Sequence, residues 1–144
     1  MDEGQLIEKL RRVENLFAGA ATSGERDAAS NASERIRKRL EQLERSDPPV
    51  EYKFGLNDIW SQKLLLALMR RYGIRPYRYS GQRRTTVMAH VSREFVQKTL
   101  WPQFQELDEV LHRYLAETTE RVIREGLGVE GAEAEVRAAL PEAG

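Results

Sequence analysis

The feature that most limits the possible folds is a long stretch with helical spacing near the end of the chain. From about residue 93 to 125, apolar side chains recur every three or four positions, so they would line one face of a helix. They are Phe95, Val96, Leu100, Phe104, Leu107, Leu111, Tyr114, Leu115 and Val122. Ser92 is placed to cap this helix, and Gly126 and Gly128 would end it. Pro102 lacks an amide hydrogen, so we expect a kink there or a restart with Pro102 as the first residue of a second segment.

Two further helices are predicted at the start of the chain. The apolar residues of the first are Leu6, Leu10, Val13, Phe17 and Ala20, and those of the second are Ala29, Ala32, Ile36, Leu40 and Leu43. The sequence GAATSGE separates them, and Thr22 with Glu25 fits a capping box that would start the second helix. Because the connection is short, we expect an antiparallel helical hairpin over residues 1–46, ended by Pro48 and Pro49.

A third helix is predicted after the two prolines. Asn57 is a plausible N-cap, Asp58 would follow in the first turn, and Gly73 would end the helix in the left-handed conformation. Its apolar residues are Ile59, Trp60, Leu64, Leu65, Leu66, Leu68 and Met69. They cover more than half of the helix surface, so we expect this helix to be buried on more than one side, at the centre of the core.

The spacing of the apolar residues changes after Gly73. Alternation of apolar with polar or basic positions predicts a β-hairpin with strands at about 75–79 and 84–91, joined by a turn at Ser80 and Gly81. The earlier sequence VEYKFG is expected to lie extended. We therefore predict an α+β, mostly helical fold. It comprises a helical hairpin (1–46), a helix–β-hairpin–helix core (54–126) and a weakly ordered tail (127–144).

Composition excludes several classes of protein. The chain has no cysteine, which rules out disulfides, zinc–thiolate sites and thiol catalysis. No apolar stretch reaches the roughly 20 residues that span a bilayer, and the first residues predict an amphipathic helix rather than a signal peptide, so we expect a cytoplasmic protein.

Catalytic signatures are absent from the sequence. No HExxH, GxSxG, Walker or GxGxxG motif occurs, and neither His90 nor His112 has an acidic partner at a recognisable spacing. An enzyme would need a pocket formed by the tyrosines, His90 and an acid of the last helix. We therefore expect a non-enzymatic protein that holds no metal and no cofactor.

The distribution of charge is more informative than any motif. The chain as a whole has 23 basic and 23 acidic residues and no net charge. Residues 59–93, however, contain no acidic residue, while residues 94–144 contain more acidic than basic ones. The basic residues of the first region are Lys63, Arg70, Arg71, Arg75, Arg78, Arg83, Arg84 and Arg93.

This arginine-rich region predicts contact with a polyanion. The planar guanidinium group binds phosphate through two parallel hydrogen bonds, and aromatic rings beside cationic groups are typical of single-strand binding. A β-ribbon can also enter a groove of duplex DNA. The candidate nucleic-acid-binding residues are Arg70, Arg71, Arg75, Tyr77, Arg78, Tyr79, Arg83 and Arg84.

Two alternatives stay open on the sequence alone. The arginines would have a purely structural role if they paired with the acidic residues of the last helix, which include Glu106, Asp108, Glu109 and Glu117. The protein would instead be an interaction or assembly module if the helical hairpin or the last helix paired with a second copy or another protein. The apolar face of so long a helix exceeds what a small core can cover.

From about residue 56, the order of a Trp-bearing helix, an arginine- and tyrosine-rich hairpin and a long helix resembles small bacterial and phage-associated proteins classed as domains of unknown function. The helix GERDAASNASERIRKRL and the region from Trp60 to Leu111 carry this resemblance. It implies an alanine-rich helical pair ahead of the core and says nothing about activity.

Overall fold

The computed structural model of the chain describes residues 1–18, 34–35, 37–39, 41–42 and 46–140. The regular elements are α1 (Glu3–Ala18), β1 (Val50–Gly55), α2 (Ile59–Arg71), β2 (Thr86–Val91) and a long helix, α3. Four consecutive segments form α3: α-helical Arg93–Phe95, π-helical Val96–Leu100, α-helical Trp101–Val122 and π-helical Ile123–Leu127. The predicted α+β, mostly helical class is confirmed.

Only one half of the predicted N-terminal hairpin can be compared with the structure. Helix α1 forms as expected, with Leu6 buried and Leu10 and Val13 packed on the core. The described residues between 34 and 42 are also helical. The predicted capping box at Thr22 and Glu25 lies outside the described residues. So do Ala20 and the predicted apolar stripe of the second helix, Ala29, Ala32, Ile36, Leu40 and Leu43.

The sheet has two antiparallel strands, but the prediction paired the wrong segments. β2 forms at the predicted place, and its partner is β1, from Val50 opposite Val91 to Gly55 opposite Thr86. The predicted strand 75–79 contributes a single bridge between Tyr77 and Met88, so the expected hairpin is wrong. The turn expected at Ser80 and Gly81 is confirmed, with a Gly81 φ of 89°.

β1 and the segment 75–79 lie on opposite edges of β2, since Met88 pairs with Lys53 of β1 and also forms the bridge to Tyr77. Burial explains why only β1 pairs along its full length. β1 places Tyr52 and Phe54 on the inner face of the sheet, and Phe54 stacks on Trp101 of α3 with ring centroids 5.4 Å apart. In the segment 75–79, Tyr77 faces outward, so the residues that would form the inner face are Pro76 and Arg78. Proline cannot donate to a ladder and arginine resists burial, so this segment offers no apolar inner face.

Helix α2 ends where the sequence predicts but begins one residue later than predicted. Its N-cap is Asp58, one residue after the predicted Asn57, and the Asp58 carboxylate accepts a hydrogen bond from the Ser61 amide at 2.8 Å. The predicted end at Gly73 is confirmed by its φ of 75°. Leu65, Leu68 and Met69 are buried. Leu64 and Leu66, on either side of these residues, pack partly buried against the core. Trp60, however, is 50% exposed, so the buried surface of the helix does not include this predicted apolar position.

Helix α3 begins and changes character where the sequence predicts. The Ser92 hydroxyl accepts from the Phe95 amide at 3.2 Å, which confirms the predicted cap. The α-helical segment containing Pro102 follows a π-helical turn, whose last bond runs from the Trp101 amide to the Val96 carbonyl. Since Pro102 donates no hydrogen bond, a local change of helix type at this point is expected. Val122, predicted to face inward, is 62% exposed.

Helix α1 packs along α3, so the core is shared by the first and last helices. The predicted boundary at residue 54 falls within β1. Residues 129–140 form neither helix nor strand and are exposed, whereas the predicted tail begins at 127, inside α3. Residues 141–144 lie outside the described part of the chain. The predicted division into domains stays a prediction.

Candidate functional site

The six arginines predicted to bind a polyanion lie on one stretch of chain, residues 70–84, here called the basic segment. Arg70 and Arg71 occupy the last turn of α2, Arg75 and Arg78 flank the Tyr77 bridge, and Arg83 and Arg84 precede β2. All six are exposed.

One of the six arginines has an internal carboxylate partner. The Arg71 guanidinium pairs with Glu14 of α1, and its backbone carbonyl accepts a hydrogen bond from Arg37 at 2.6 Å. Within the described ranges, no ion pair joins the other five to a carboxylate. These five are Arg70, Arg75, Arg78, Arg83 and Arg84. Most of the basic segment therefore presents uncompensated positive charge.

Three of the four acidic residues of α3 named as possible partners of the arginines make other contacts. Glu109 pairs with Arg113 at 3.0 Å, and Glu117 lies 3.4 Å from the N-terminal amino group. Asp108 accepts from the Ser61 hydroxyl at 2.7 Å. In the described part of the chain, none of these acids, nor Glu106, forms an ion pair with the basic segment. The alternative of internal pairing with α3 is not what the structure shows.

The two candidate tyrosines belong to a polar cluster on the outer face of the sheet. Strand alternation places Glu51 opposite His90 on this face. The Tyr77 and Tyr79 hydroxyls both donate to the same oxygen, Glu51 Oε2. The Tyr77 hydroxyl also lies 3.0 Å from His90 Nδ1, and their rings stack with centroids 5.7 Å apart.

This cluster changes the expected role of the tyrosines. Hydrogen bonds from Tyr77 and then Tyr79 lower the pKa of Glu51, so its carboxylate stays charged. Desolvation, followed by the bond to Glu51, raises the pKa of Tyr77. The rings of Tyr77 and Tyr79 meet edge to face at 5.5 Å. Both tyrosines therefore contact each other and donate hydrogen bonds to a carboxylate, whose negative charge repels phosphate.

Sequence reasoning missed Glu51 because it treated VEYKFG only as an extended link. The signal was present in the alternation of that stretch, which separates Glu51 from Tyr52 and Phe54. An enzyme would need the tyrosines and an acid of the last helix beside His90. The structure gives His90 a tyrosine hydroxyl, and the acid of this face is supplied by β1. Within the described residues, no acid of the last helix is bonded to this cluster.

His112 has two acidic partners, contrary to the prediction. Its Nε2 lies 2.7 Å from Asp58 Oδ2, and its Nδ1 lies 2.8 Å from the Asp108 carbonyl oxygen and 3.2 Å from the Asp108 carboxylate. Asp108 precedes His112 by four residues, a helical spacing that brings side chains together. The partner from α2, Asp58, is 54 residues away and has no such sequence signal.

The surroundings of His112 favour its charged form. A carbonyl oxygen and a carboxylate only accept, so both ring nitrogens are placed to donate. The hydrogen bond to Asp58, followed by that to the Asp108 backbone, raises the pKa of His112. The Ser61 amide, with His112 contributing, lowers the pKa of Asp58. With both ring nitrogens hydrogen-bonded, His112 forms a clamp between the N-cap residue of α2 and helix α3.

An open cleft of about 350 Å³ lies beside this clamp, between the residues that follow β1 and helix α3. Its lining includes Leu56, Ser61, Trp101, Phe104 and Asp108. The Ser61 hydroxyl donates to Asp108, and no hydrogen bond joins it to His112 among the described residues. Among the described residues, no group of three or more metal-ligating side chains is placed to hold an ion.

Comparison of the chain with protein-family models, with curated proteins and with solved structures yields no significant match. The resemblance to bacterial and phage-associated proteins therefore stays a prediction. No helix within the described ranges combines the length and the apolar character needed to cross a bilayer.

Proposed function

We propose that this protein is a small, non-enzymatic module that binds nucleic acid or another polyanion through the basic segment. One observation carries the proposal: the six arginines of the segment are exposed, and five of them have no carboxylate partner among the described residues. Unpaired arginines held close together repel one another, and an anionic polymer relieves that repulsion. The cytoplasmic location stays a prediction of the sequence.

The choice of arginine supports a phosphate-bearing partner. Guanidinium groups form bidentate hydrogen bonds with phosphate oxygens and are more weakly hydrated than ammonium groups, so less water has to be displaced. If the five unpaired arginines each neutralise one phosphate, the slope of log K against log salt is about −3.5 for a single strand and about −4.5 for a duplex. This steep salt dependence distinguishes the proposal from binding through uncharged contacts.

The test is a titration of labelled oligonucleotides and heparin followed by fluorescence anisotropy over a series of salt concentrations. The variant combines Arg78→Ala, Arg83→Ala and Arg84→Ala. We expect weaker binding and a salt slope smaller in magnitude by about two for a single strand and about three for a duplex.

A matched control removes three exposed arginines outside the basic segment. These are Arg11, Arg39 and Arg124, each replaced by alanine. The control has the same net charge as the test variant, so a general loss of charge affects both equally. The proposal fails if the wild-type protein binds none of the probes at low salt, or if the two triple variants weaken binding to the same extent.

Self-association is a second candidate function, favoured by apolar side chains left exposed on the helices. Val122 and Leu127 on α3 are 62% and 74% exposed, and Ile7 and Leu16 on α1 are 46% and 67% exposed. A second copy packed along these helices would cover them. Sedimentation velocity over a range of concentrations is the test, and a monomer at every concentration would exclude this function.

A further inference from the structure

The exposed side of α2 carries a stripe that continues the basic segment. Trp60, Lys63, Ala67 and Arg70 follow one another at steps of three, four and three, and all four are exposed. The sequence of α2 contains no acidic residue. At 1.5 Å per residue the stripe is about 15 Å long, and its last member, Arg70, is the first residue of the basic segment. The two surfaces are therefore continuous along the chain.

Trp60 is the unusual member of this stripe. Tryptophan is largely buried in most folded proteins, yet half of this side chain is exposed. The Lys63 ammonium lies 5.3 Å from the centroid of its ring. The nearest carboxylate along the chain, Asp58, is bonded to the Ser61 amide and to His112. An indole with a cation beside it offers a stacking surface next to a phosphate-binding group.

Trp60 suits a stacked base better than the two tyrosines of the predicted site. The Tyr77 and Tyr79 hydroxyls share the Glu51 carboxylate, so a nucleotide stacked there would bring its phosphate near a negative charge. The ring of Trp60 instead has the Lys63 ammonium beside it, while the Asp58 carboxylate near the Trp60 backbone is bonded to the Ser61 amide and His112. Trp60, at the start of α2, is therefore better placed for the base stacking that was predicted for Tyr77 and Tyr79.

We infer that the polymer bound by this surface is a single-stranded nucleic acid, with one base stacked on Trp60 and the adjacent phosphates on Lys63 and Arg70. This inference rests on the proposed function and makes it more specific. In a duplex the faces of the bases are covered by their neighbours, so an exposed indole contributes little. A single strand exposes those faces, and stacking on an aromatic side chain tolerates any base.

The test compares Trp60→Ala with Trp60→Phe, using a labelled oligothymidylate of about 15 nucleotides, near the upper end of known site sizes. We expect Trp60→Ala to weaken binding by roughly five- to a hundredfold, the range for loss of one stacked base. The salt slope should not change, because no phosphate contact is lost. Trp60→Phe should retain most of the affinity. Lys63→Ala should lower the magnitude of the slope by about 0.7.

Two further readouts separate stacking from a change in folding. Trp60 lies on the surface, so circular dichroism and the Tm of the alanine variant should match those of the wild type. Binding of the oligothymidylate should quench the tryptophan fluorescence of the wild type. The Trp60→Phe variant keeps only Trp101, which lies half-buried against Phe54 and Phe104, so most of the quenching should disappear.

The outcomes distinguish this inference from the function on which it rests. Salt-dependent binding that is equal for the wild type and Trp60→Ala overturns the stacking inference and leaves the basic segment as the site. Tighter binding to a duplex than to a single strand of the same length also overturns it. If the wild type binds no polyanion at low salt, the proposed function and this inference both fail.

Discussion

Replacing Tyr72 by phenylalanine should destabilise the protein, and replacing Gln103 by leucine in the same chain should restore most of the loss. Both residues lie in the core, with 1% and 0% of their surfaces exposed. The Tyr72 hydroxyl donates to Gln103 Oε1 at 2.6 Å. Gln103 Nε2 is already buried without a hydrogen-bond partner in the described structure.

The magnitude follows from what each substitution leaves behind. Tyr72→Phe keeps the ring and its edge-to-face contact with Phe95 at 5.6 Å, but it leaves the Gln103 amide with no partner at either end. A buried polar group in that state costs about 1 to 3 kcal/mol. Leucine at position 103 removes the amide altogether, so the double variant should be close to the wild type or more stable.

The assay is urea unfolding followed by circular dichroism, with Tm as a second measure. A change of 1 kcal/mol corresponds to roughly 3 to 4 °C for a chain of this size. Tyr79→Phe is the matched control, since that side chain is 51% exposed. It should change the free energy of unfolding by no more than about 0.5 kcal/mol. The reasoning is refuted if the double variant is no more stable than Tyr72→Phe.

Two further predictions concern pH and the backbone. Because folding raises the pKa of His112, this residue stabilises the fold fully below its unfolded pKa of about 6.5, and the stabilisation is lost as pH rises through the higher pKa of the folded state. Folding lowers the pKa of Asp58, so Asp58 adds stability above its unfolded pKa of about 3.9. The partly exposed pair should therefore make the protein more stable at about pH 5.5 than at about pH 8.5, by no more than about 1 kcal/mol after solvent screening. In urea unfolding at both pH values, His112→Gln should reduce the difference in the free energy of unfolding more than His90→Gln does. Equal effects of the two substitutions would contradict the clamp. Gly73→Ala should destabilise the protein by about 1 to 2 kcal/mol in thermal unfolding, because the φ of Gly73 is 75°. The control, Gly126→Ala, lies in helical backbone with open space around it and should be neutral or stabilising. A Gly73→Ala variant as stable as the wild type would be inconsistent with the left-handed helix end.

The elements that local chemistry specifies were predictable. The cap at Ser92, the left-handed Gly73 and the change of helix type near Pro102 each depend on a residue and its close neighbours along the chain. Hydrogen bonds of this range are encoded in short stretches of sequence. The concentration of arginine between residues 70 and 84 can likewise be read directly from the sequence.

The pairing of the strands was not predictable in the same way. A turn at Ser80 and Gly81 beside two alternating segments favours a hairpin on local grounds. The turn forms, but the segment before it makes one bridge to β2, whereas β1 pairs along the opposite edge of β2. β1 places Phe54 against Trp101, a contact between residues far apart in the chain that buries apolar area and that no local pattern predicts.

The features of the candidate site also fall into two groups, those set by neighbouring residues and those set by tertiary packing. The mostly helical character of the chain and the concentration of arginine in one stretch are encoded locally, because helical periodicity and charge are properties of neighbouring residues. The bonds of Tyr77 and Tyr79 to Glu51, the bond of His112 to Asp58 and the exposure of Trp60 follow from tertiary packing and not from local sequence. Each of these depends on which surfaces meet when the helices and the sheet pack, and packing is decided by burial summed over the whole chain.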